Sequence, residues 1–347
     1  PLGPNVNGFE KDIASYLDSK VYVSALSTGT AALHLALIIL GVKAGDEVIC
    51  QSMTFSASAN PIRYQGATPI FIDSERDTWN MNPKFLEEAI VDRLAKGKKP
   101  KAIIPVHLYG MPAKMDEILA IANKYEIPVI EDAAEALGSD INGTKCGTFG
   151  EMSILSFNGN KIITTSGGGA LVAGNENYIK QATFLSTQAR DSAPHYQHSH
   201  IGYNYRMSNI CAGIGRGQME VLQKRVEQSR ANCSFYQKSL AQVPGIYLLM
   251  EPDGYFSNRW LTTVLVDDKK TGGVTREDIR LALEKDNIES RPLWKPMHLQ
   301  PVFKDFPFYG DHTSEDLFNL GLCLPSGSNL TTENLETIVS KIHDLIS

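Results

Sequence analysis

Through its first two thirds this chain alternates short apolar runs with segments of helical length, a pattern that few architectures can satisfy. Val48 to Cys50, Pro69 to Ile72 and Ala102 to Val106 read as buried strands. So do Val129 and Ile130, which lead into Glu131 and Asp132, and the run from Ser153 to Phe157. Between them, Thr28 to Leu40 predicts a helix with Thr28 as candidate N-cap and Gly41 as its stop, and Met115 to Tyr125 predicts another. Such alternation implies an α/β fold, with a mainly parallel central sheet flanked by helices. Ligands of these sheets gather at the carboxyl ends of the strands. The residues just after each apolar run are therefore the ones to inspect.

A length of 347 residues is enough for two domains. The expected division falls near residue 225, giving a large α/β domain over 1–225 and a smaller C-terminal α+β domain over 226–347. Ser208 to Gln237 reads as one bridging helix. Beyond it, Thr262 to Val266 predicts a strand, and Arg276 to Lys285 and Leu335 to Ile346 predict helices. The net charge of −6 gives no electrostatic case for nucleic acid or an anionic membrane. The densest basic cluster, Lys96 to Lys101, reads as a solvated loop before a strand. No apolar run is long enough to span a bilayer; the longest, Ala31 to Leu40, is interrupted by His34. Five widely spaced cysteines (50, 146, 211, 233 and 323) form no zinc-binding spacing and suit free thiols in a reducing cytoplasm. The chain opens on Pro1 rather than Met, so further residues are expected before it.

Four places carry the chemistry. Lys161 emerges from a turn, Asn158-Gly159-Asn160, between the strand ending at Phe157 and a β-like run from Gly169 to Val172. A lysine so placed can lose hydration and become a nucleophile toward a carbonyl, although most loop lysines are simply solvated. Asp132 stands at the end of an apolar strand, where a carboxylate needs a partner. A protonated pyridine nitrogen is one such partner and the cap of the next helix is another. Ser27-Thr28-Gly29-Thr30 opens a helix, which suits a phosphate group as well as ordinary capping. Phe55 follows the Val48 strand and could lie against a cofactor ring or in the core.

In this order the four segments resemble the DegT/StrS-type sugar aminotransferases, pyridoxal-phosphate (PLP) enzymes of the aspartate-aminotransferase fold, fold type I. The resemblance runs from Pro1-Leu2-Gly3 to Cys323-Leu324-Pro325-Ser326-Gly327, and is most specific in SFNGNK with the following SGGG, in EDAAEALGS, and in GYNYRMSN from Gly202 to Asn209. It implies that Lys161 is the Schiff-base lysine and proton shuttle, that Asp132 pairs the pyridine nitrogen, and that Glu135 lies near the phenolic oxygen. It further implies that Thr28, Gly29, Thr30 and Ser156 hold the phosphate and that Phe55 stacks on the ring. Asn204 would reach the phosphate in the neighbouring subunit of a homodimer with shared active sites. The chain departs from many relatives at Glu135, where they carry Gln or His, and at Asn158, where they carry His. The resemblance is nearest to enzymes that use glutamate to aminate C4 of UDP-4-keto-6-deoxy-N-acetylglucosamine for bacterial surface glycans. A dTDP- or GDP-linked keto sugar is the alternative substrate.

Arg291, Trp294 and His298, in a Pro-rich segment, are candidates for the nucleotide sugar, because Arg can fork onto phosphate and Trp offers a stacking face. Domain packing would explain them equally well. His195, His198 and His200 have no metal-site spacing on either a helix or a strand face, and a loop near the active site is preferred. A nicotinamide enzyme would need an early GxGxxG turn; the clusters at 167–169 and 213–217 are neither early nor correctly spaced. Lys161 argues against the dehydratases of the same family, which carry His there. A non-catalytic PLP-binding regulator would leave the complete lysine, aspartate and phosphate set unexplained.

Overall fold

A computed structural model describes residues 3–17 and 20–346, so Pro1 and Leu2 of the resembling N-terminal stretch lie outside the described residues. After helix α1 (Pro4–Leu17), strand β1 (Tyr22–Leu26) leads into α2 (Gly29–Ile39). Strands β2 (Glu47–Gln51), β3 (Thr68–Ile72), β4 (Ala102–Ile104) and β5 (Ile130–Asp132) follow, separated by α3 (Asn60–Tyr64), α4 (Pro83–Ala95) and α5 (Met115–Tyr125), with α6 (Glu176–Ser186) later in this unit. A two-strand ribbon, β6 (Asp140–Ile141) and β7 (Thr144–Lys145), precedes β8 (Met152–Ser156) and β9 (Gly169–Ala173).

Hydrogen-bonded order runs β1-β9-β8-β5 in one group and β3-β2-β4 in the other. Parallel bridges Ile103 to Val129 and Val106 to Asp132 join the groups along β4 and β5. Only β9 runs against its neighbours within this sheet, because it pairs antiparallel with both β1 and β8. The sheet is buried on both faces, as its unbroken apolar strands require. One face packs on α2, whose Leu33, Leu35, Ala36 and Leu37 are all buried. Another cluster gathers α1 through Phe9 and Ile13. Thr28 caps α2 by accepting the Ala31 N–H at 2.9 Å, as its position in the sequence predicts.

The bridging segment differs from expectation. It breaks at Glu220 and Val221 into α7 (Asn209–Met219) and α8 (Leu222–Leu240). Both halves pack first in the core around α1, through Ala212 in α7 and Leu222 and Val226 in α8. Gly215 in α7 lies under the Phe9 ring, where a Cβ would come within 2.7 Å of ring carbons. Farther on, α8 carries Val226 in the core around α1, then Tyr236 and Leu240 in a separate core.

That separate core belongs to a second sheet in which β10 (Ile246–Leu248), β12 (Thr262–Val266), β15 (Gly321–Leu324) and β13 (Arg291–Pro292) pair antiparallel in that order. A short strand between β10 and β12, β11 (Tyr255–Phe256), pairs with β6. Helices α9 (Arg276–Lys285) and α11 (Thr332–Ile346) cover the second sheet. We propose that the two units divide within α8, near residue 225. The later chain also returns to the first unit: β14 (Phe308–Tyr309) pairs parallel with β3, and Phe303 packs on Phe71.

Candidate active site

The carboxyl ends of β1, β2, β5 and β8 converge on one cavity of about 1160 Å³, whose other wall comes from the second sheet. Asp132, the last residue of β5, is 6% exposed and faces this cavity. Its Oδ2 accepts the Ser58 hydroxyl at 2.6 Å and its Oδ1 accepts the Ala134 N–H at 3.2 Å. The carboxylate is therefore held rigidly with one edge toward the open space. Its neighbour Glu131 points elsewhere and clamps the chain, accepting N–H groups of Gly147, Phe149 and Gly150 and the ring of His107. His107 Nδ1 accepts the Ala113 N–H, so its Nε2–H is the donor to Glu131.

Lys161 sits on the crest of the β8–β9 connection, which closes on itself through Thr165 N–H to Phe157 O and Phe157 N–H to Gly168 O, both 2.9 Å. The amine reaches into the cavity and lies 3.4 Å from Glu135 Oε1. Glu135 is almost wholly buried, and its other oxygen accepts the Tyr109 N–H at 2.7 Å. Burial pushes the Glu135 carboxyl up to about 7, against the opposing pull of the Lys161 ammonium and the Tyr109 N–H. A carboxyl so poised can exchange a proton with a neighbour near neutral pH.

The N-terminus of α2 forms the cavity's anionic end. Gly29 and Thr30 line it together with Thr28 and Ser156. The packing here is close. A Cβ on Gly169 would stand 2.3 Å from Gly29 N, and one on Gly29 would stand 3.2 Å from Ser156 Cβ. Backbone N–H groups and hydroxyls can thus approach a phosphate without intervening side chains. A fixed carboxylate, a half-buried primary amine and a helix N-terminus together fit PLP: nitrogen partner, covalent anchor and phosphate cradle.

Among the other expected residues, Phe55, Asn158, Arg291 and Trp294 also line the cavity. Phe55 is 58% exposed and its ring centroid is 5.6 Å from that of Trp294. Arg291 is exposed at the rim, where its Nε donates to Glu289 at 2.6 Å. His298 is not brought in. Its ring stacks on Phe308 with centroids 3.7 Å apart, meets Ser52 Oγ at 2.7 Å, and turns its other nitrogen to Glu315 at 3.2 Å. Asn204 also lies outside the cavity, exposed and bridged to Thr187. Sequence reasoning missed Ser58, which fixes Asp132, and Trp260, which covers Lys161. Ser58 lies only three residues beyond Phe55, so a strand-end loop rich in hydroxyls was the available signal. The thiol of Cys323, also on the wall, is pushed up to about 12 by burial and then by Glu135, and stays a neutral packing group.

The fold and this constellation define a PLP-dependent aminotransferase of fold type I. Residues 1–343 match the DegT/DnrJ/EryC1/StrS aminotransferase family, to which the chain belongs. EpsN of Bacillus subtilis (strain 168), provisionally assigned as a pyridoxal phosphate-dependent aminotransferase, is 52% identical over 98% of this chain and 87% of its own length. The GDP-perosamine synthase of Escherichia coli O157:H7 is 38% identical over 94% of this chain and 86% of its own. A crystal structure of a DegT DnrJ EryC1 StrS aminotransferase from Brucella abortus superposes with a TM-score of 0.92 at 30% identity, covering 99% of this chain and 90% of that one. Among the described residues no helix is long and apolar enough to cross a membrane.

Proposed function

We propose that this enzyme moves an amino group from glutamate to a nucleotide-linked keto sugar, in a homodimer with shared sites. The observation that carries the reading is the meeting of Asp132, Lys161 and the α2 N-terminus in one cavity that Phe55, Trp260 and Trp294 also line. PLP, when bound, would supply an electron-accepting ring that draws charge from the amine-bearing carbon of the donor. Asp132 would face the ring nitrogen, which its charge keeps protonated. Thr28, Gly29, Thr30 and Ser156 would hold the phosphate, with Asn204 of the second subunit completing that end.

Lys161 would act as covalent anchor and, once free and neutral, as the base and acid that moves a proton at its Nζ. Glu135 Oε1, 3.4 Å away, is placed to take the proton that the amine must shed. Phe55 and Trp294 offer stacking faces, while Asn158 and Arg291 supply polar groups at the rim. Together they suit an amphipathic sugar nucleotide better than a small amino acid alone.

The finer reading is amination at C4 of UDP-4-keto-6-deoxy-N-acetylglucosamine, in the synthesis of a bacterial surface glycan. A GDP-linked 4-keto sugar is the second reading, supported by the name of the 38% identical synthase. The test is kcat/KM for UDP-, dTDP- and GDP-linked 4-keto-6-deoxy sugars with glutamate as donor, followed by NMR of the product. A site that hydrogen-bonds the acetamido group should prefer the UDP-linked 2-acetamido substrate by roughly a hundredfold or more. Preference for the GDP sugar would move the assignment to the second reading. An amine at C3 would overturn both.

A further inference from the structure

Lys161 has a second neighbour that comes from a distant part of the chain. Its Nζ stands 4.3 Å from the centroid of the Trp260 indole, on the ring face. Trp260 opens the segment leading into β12, and a hundred residues separate it from the loop it covers. Both the indole and the backbone of Trp260 are tied down. Its Nε1–H donates to Asn160 O at 2.7 Å, in the very turn that carries Lys161. Its backbone N–H donates to Asn258 Oδ1 at 2.9 Å. Asn258 is fully buried and donates from Nδ2 to the carbonyls of Glu135 and Leu137, at 2.8 and 2.9 Å. Between them Arg259 takes a positive φ of 52° and sends its guanidinium the other way, to Leu249 O at 2.6 Å. That turn is what presents consecutive residues to opposite sides.

We propose that Trp260 is a positioning residue for Lys161: its pinned indole face holds the amine beside Glu135 whenever the amine is not bonded to the cofactor. The attraction between an ammonium and an indole face is strongest where water is excluded, and here the indole is only 6% exposed. Lys161 ends a flexible four-carbon stem, and without such a surface it could sweep much of the cavity. Asn258 ties the same segment to the backbone of Glu135. The two groups flanking the amine are therefore linked through Asn258. The inference rests on Lys161 being the cofactor lysine.

The test uses protein freed of cofactor, so it needs neither bound PLP nor the sugar. Lys161 is labelled with a small amine reagent at fixed pH, and peptide mass mapping gives the rate at that residue. Trp260→Leu removes the face and should speed labelling about two- to thirty-fold, the range such a hold spans. Trp260→Phe keeps a ring and should stay closer to wild type. In the cofactor-loaded enzyme the Leu variant should lower kcat with little change in KM, because Lys161 works in proton transfer rather than in binding. Equal labelling rates in folded wild-type and Leu proteins would overturn the proposal, as would a Phe variant as defective as Leu.

If Trp260→Leu does not fold, Lys161→Met in a chain carrying Trp79→Phe and Trp294→Phe serves instead. Only Trp260 then emits, since the chain has three tryptophans. Loss of the ammonium from its face should change the emission, and identical spectra with and without Lys161 would equally overturn the idea. A cofactor adduct on another lysine would instead remove the functional reading, while the labelling result would stand as a fact about the apo-protein.

Discussion

Glu135 is a buried carboxyl beside Lys161, and its environment sets a pH dependence. Its folded-state value of about 7 lies above the ordinary 4.5 because the carboxyl is buried. The stability it contributes is therefore complete below about 4.5 and is lost as pH rises through about 7. In cofactor-free protein, Glu135→Gln removes that titration. Wild type should lose roughly 1–3 kcal/mol relative to the Gln variant between about pH 5 and 8. Thermal unfolding across that interval checks it, and parallel curves would assign Glu135 a fixed charge. Asp132 stood out in the sequence as a carboxylate at an apolar strand end, whereas Lys161, on a loop where most lysines are solvated, stood out through the resemblance that SFNGNK carries. Trp260 broke no such rule, since a tryptophan beside a strand reads as core. Its place over Lys161 depends on Asn258 and on a positive-φ arginine that no pattern announces.

The strands read from apolar runs in the first unit, and the helices read at Thr28 to Leu40 and Met115 to Tyr125, fall within a residue or two of their observed bounds, because burial on both faces leaves a parallel strand little freedom. Thr28 capping α2 was equally readable, as a hydroxyl directly before an apolar helix. His298 was not, because the contacts that absorb it, Ser52, Glu315 and Phe308, come from three distant segments. The break in the bridging helix was not legible either: α7 and the start of α8 share the core around α1, and only the later turns of α8 reach a separate one. One contact between elements carries a prediction. At Gly169, β9 passes directly beneath the start of α2, and an added Cβ would meet Gly29 N at 2.3 Å and Thr28 O at 2.6 Å. Gly169→Ala must push the helix N-terminus out of place. It should cost about 1–3 kcal/mol of stability by overpacking and weaken PLP binding at least about tenfold. Absorbance titration with PLP measures the second effect, and unchanged affinity would place the phosphate elsewhere.

At the scale of the molecule, the stretch after α6 (Glu176–Ser186) presents apolar side chains to solvent: Tyr196 at 80%, Ile201 at 85% and Ile210 at 75% exposed. Asn204 lies within it. Exposed apolar groups suit an association surface, and under the proposed shared-site dimer a second copy would cover them. Mixing inactive Lys161→Ala chains with inactive Asn204→Ala chains should then restore activity. Random pairing makes half the dimers mixed, each with one competent site of two, so recovery should approach about a quarter of wild type. Sedimentation of the mixture gives the dimer content. No recovery among proven mixed dimers would mean that Asn204 serves its own subunit.

The account turns on Lys161 as the group that anchors the cofactor, and one measurement addresses it directly. One portion of the PLP-loaded enzyme is reduced with borohydride, digested and its peptides mapped by mass, while in an unreduced portion the absorbance near the visible edge is followed before and after glutamate is added. The account predicts a single phosphopyridoxyl adduct, on Lys161, and a band that fades with glutamate as the amino group passes to the cofactor. An adduct on any other lysine, or a band that glutamate leaves unchanged, would contradict it.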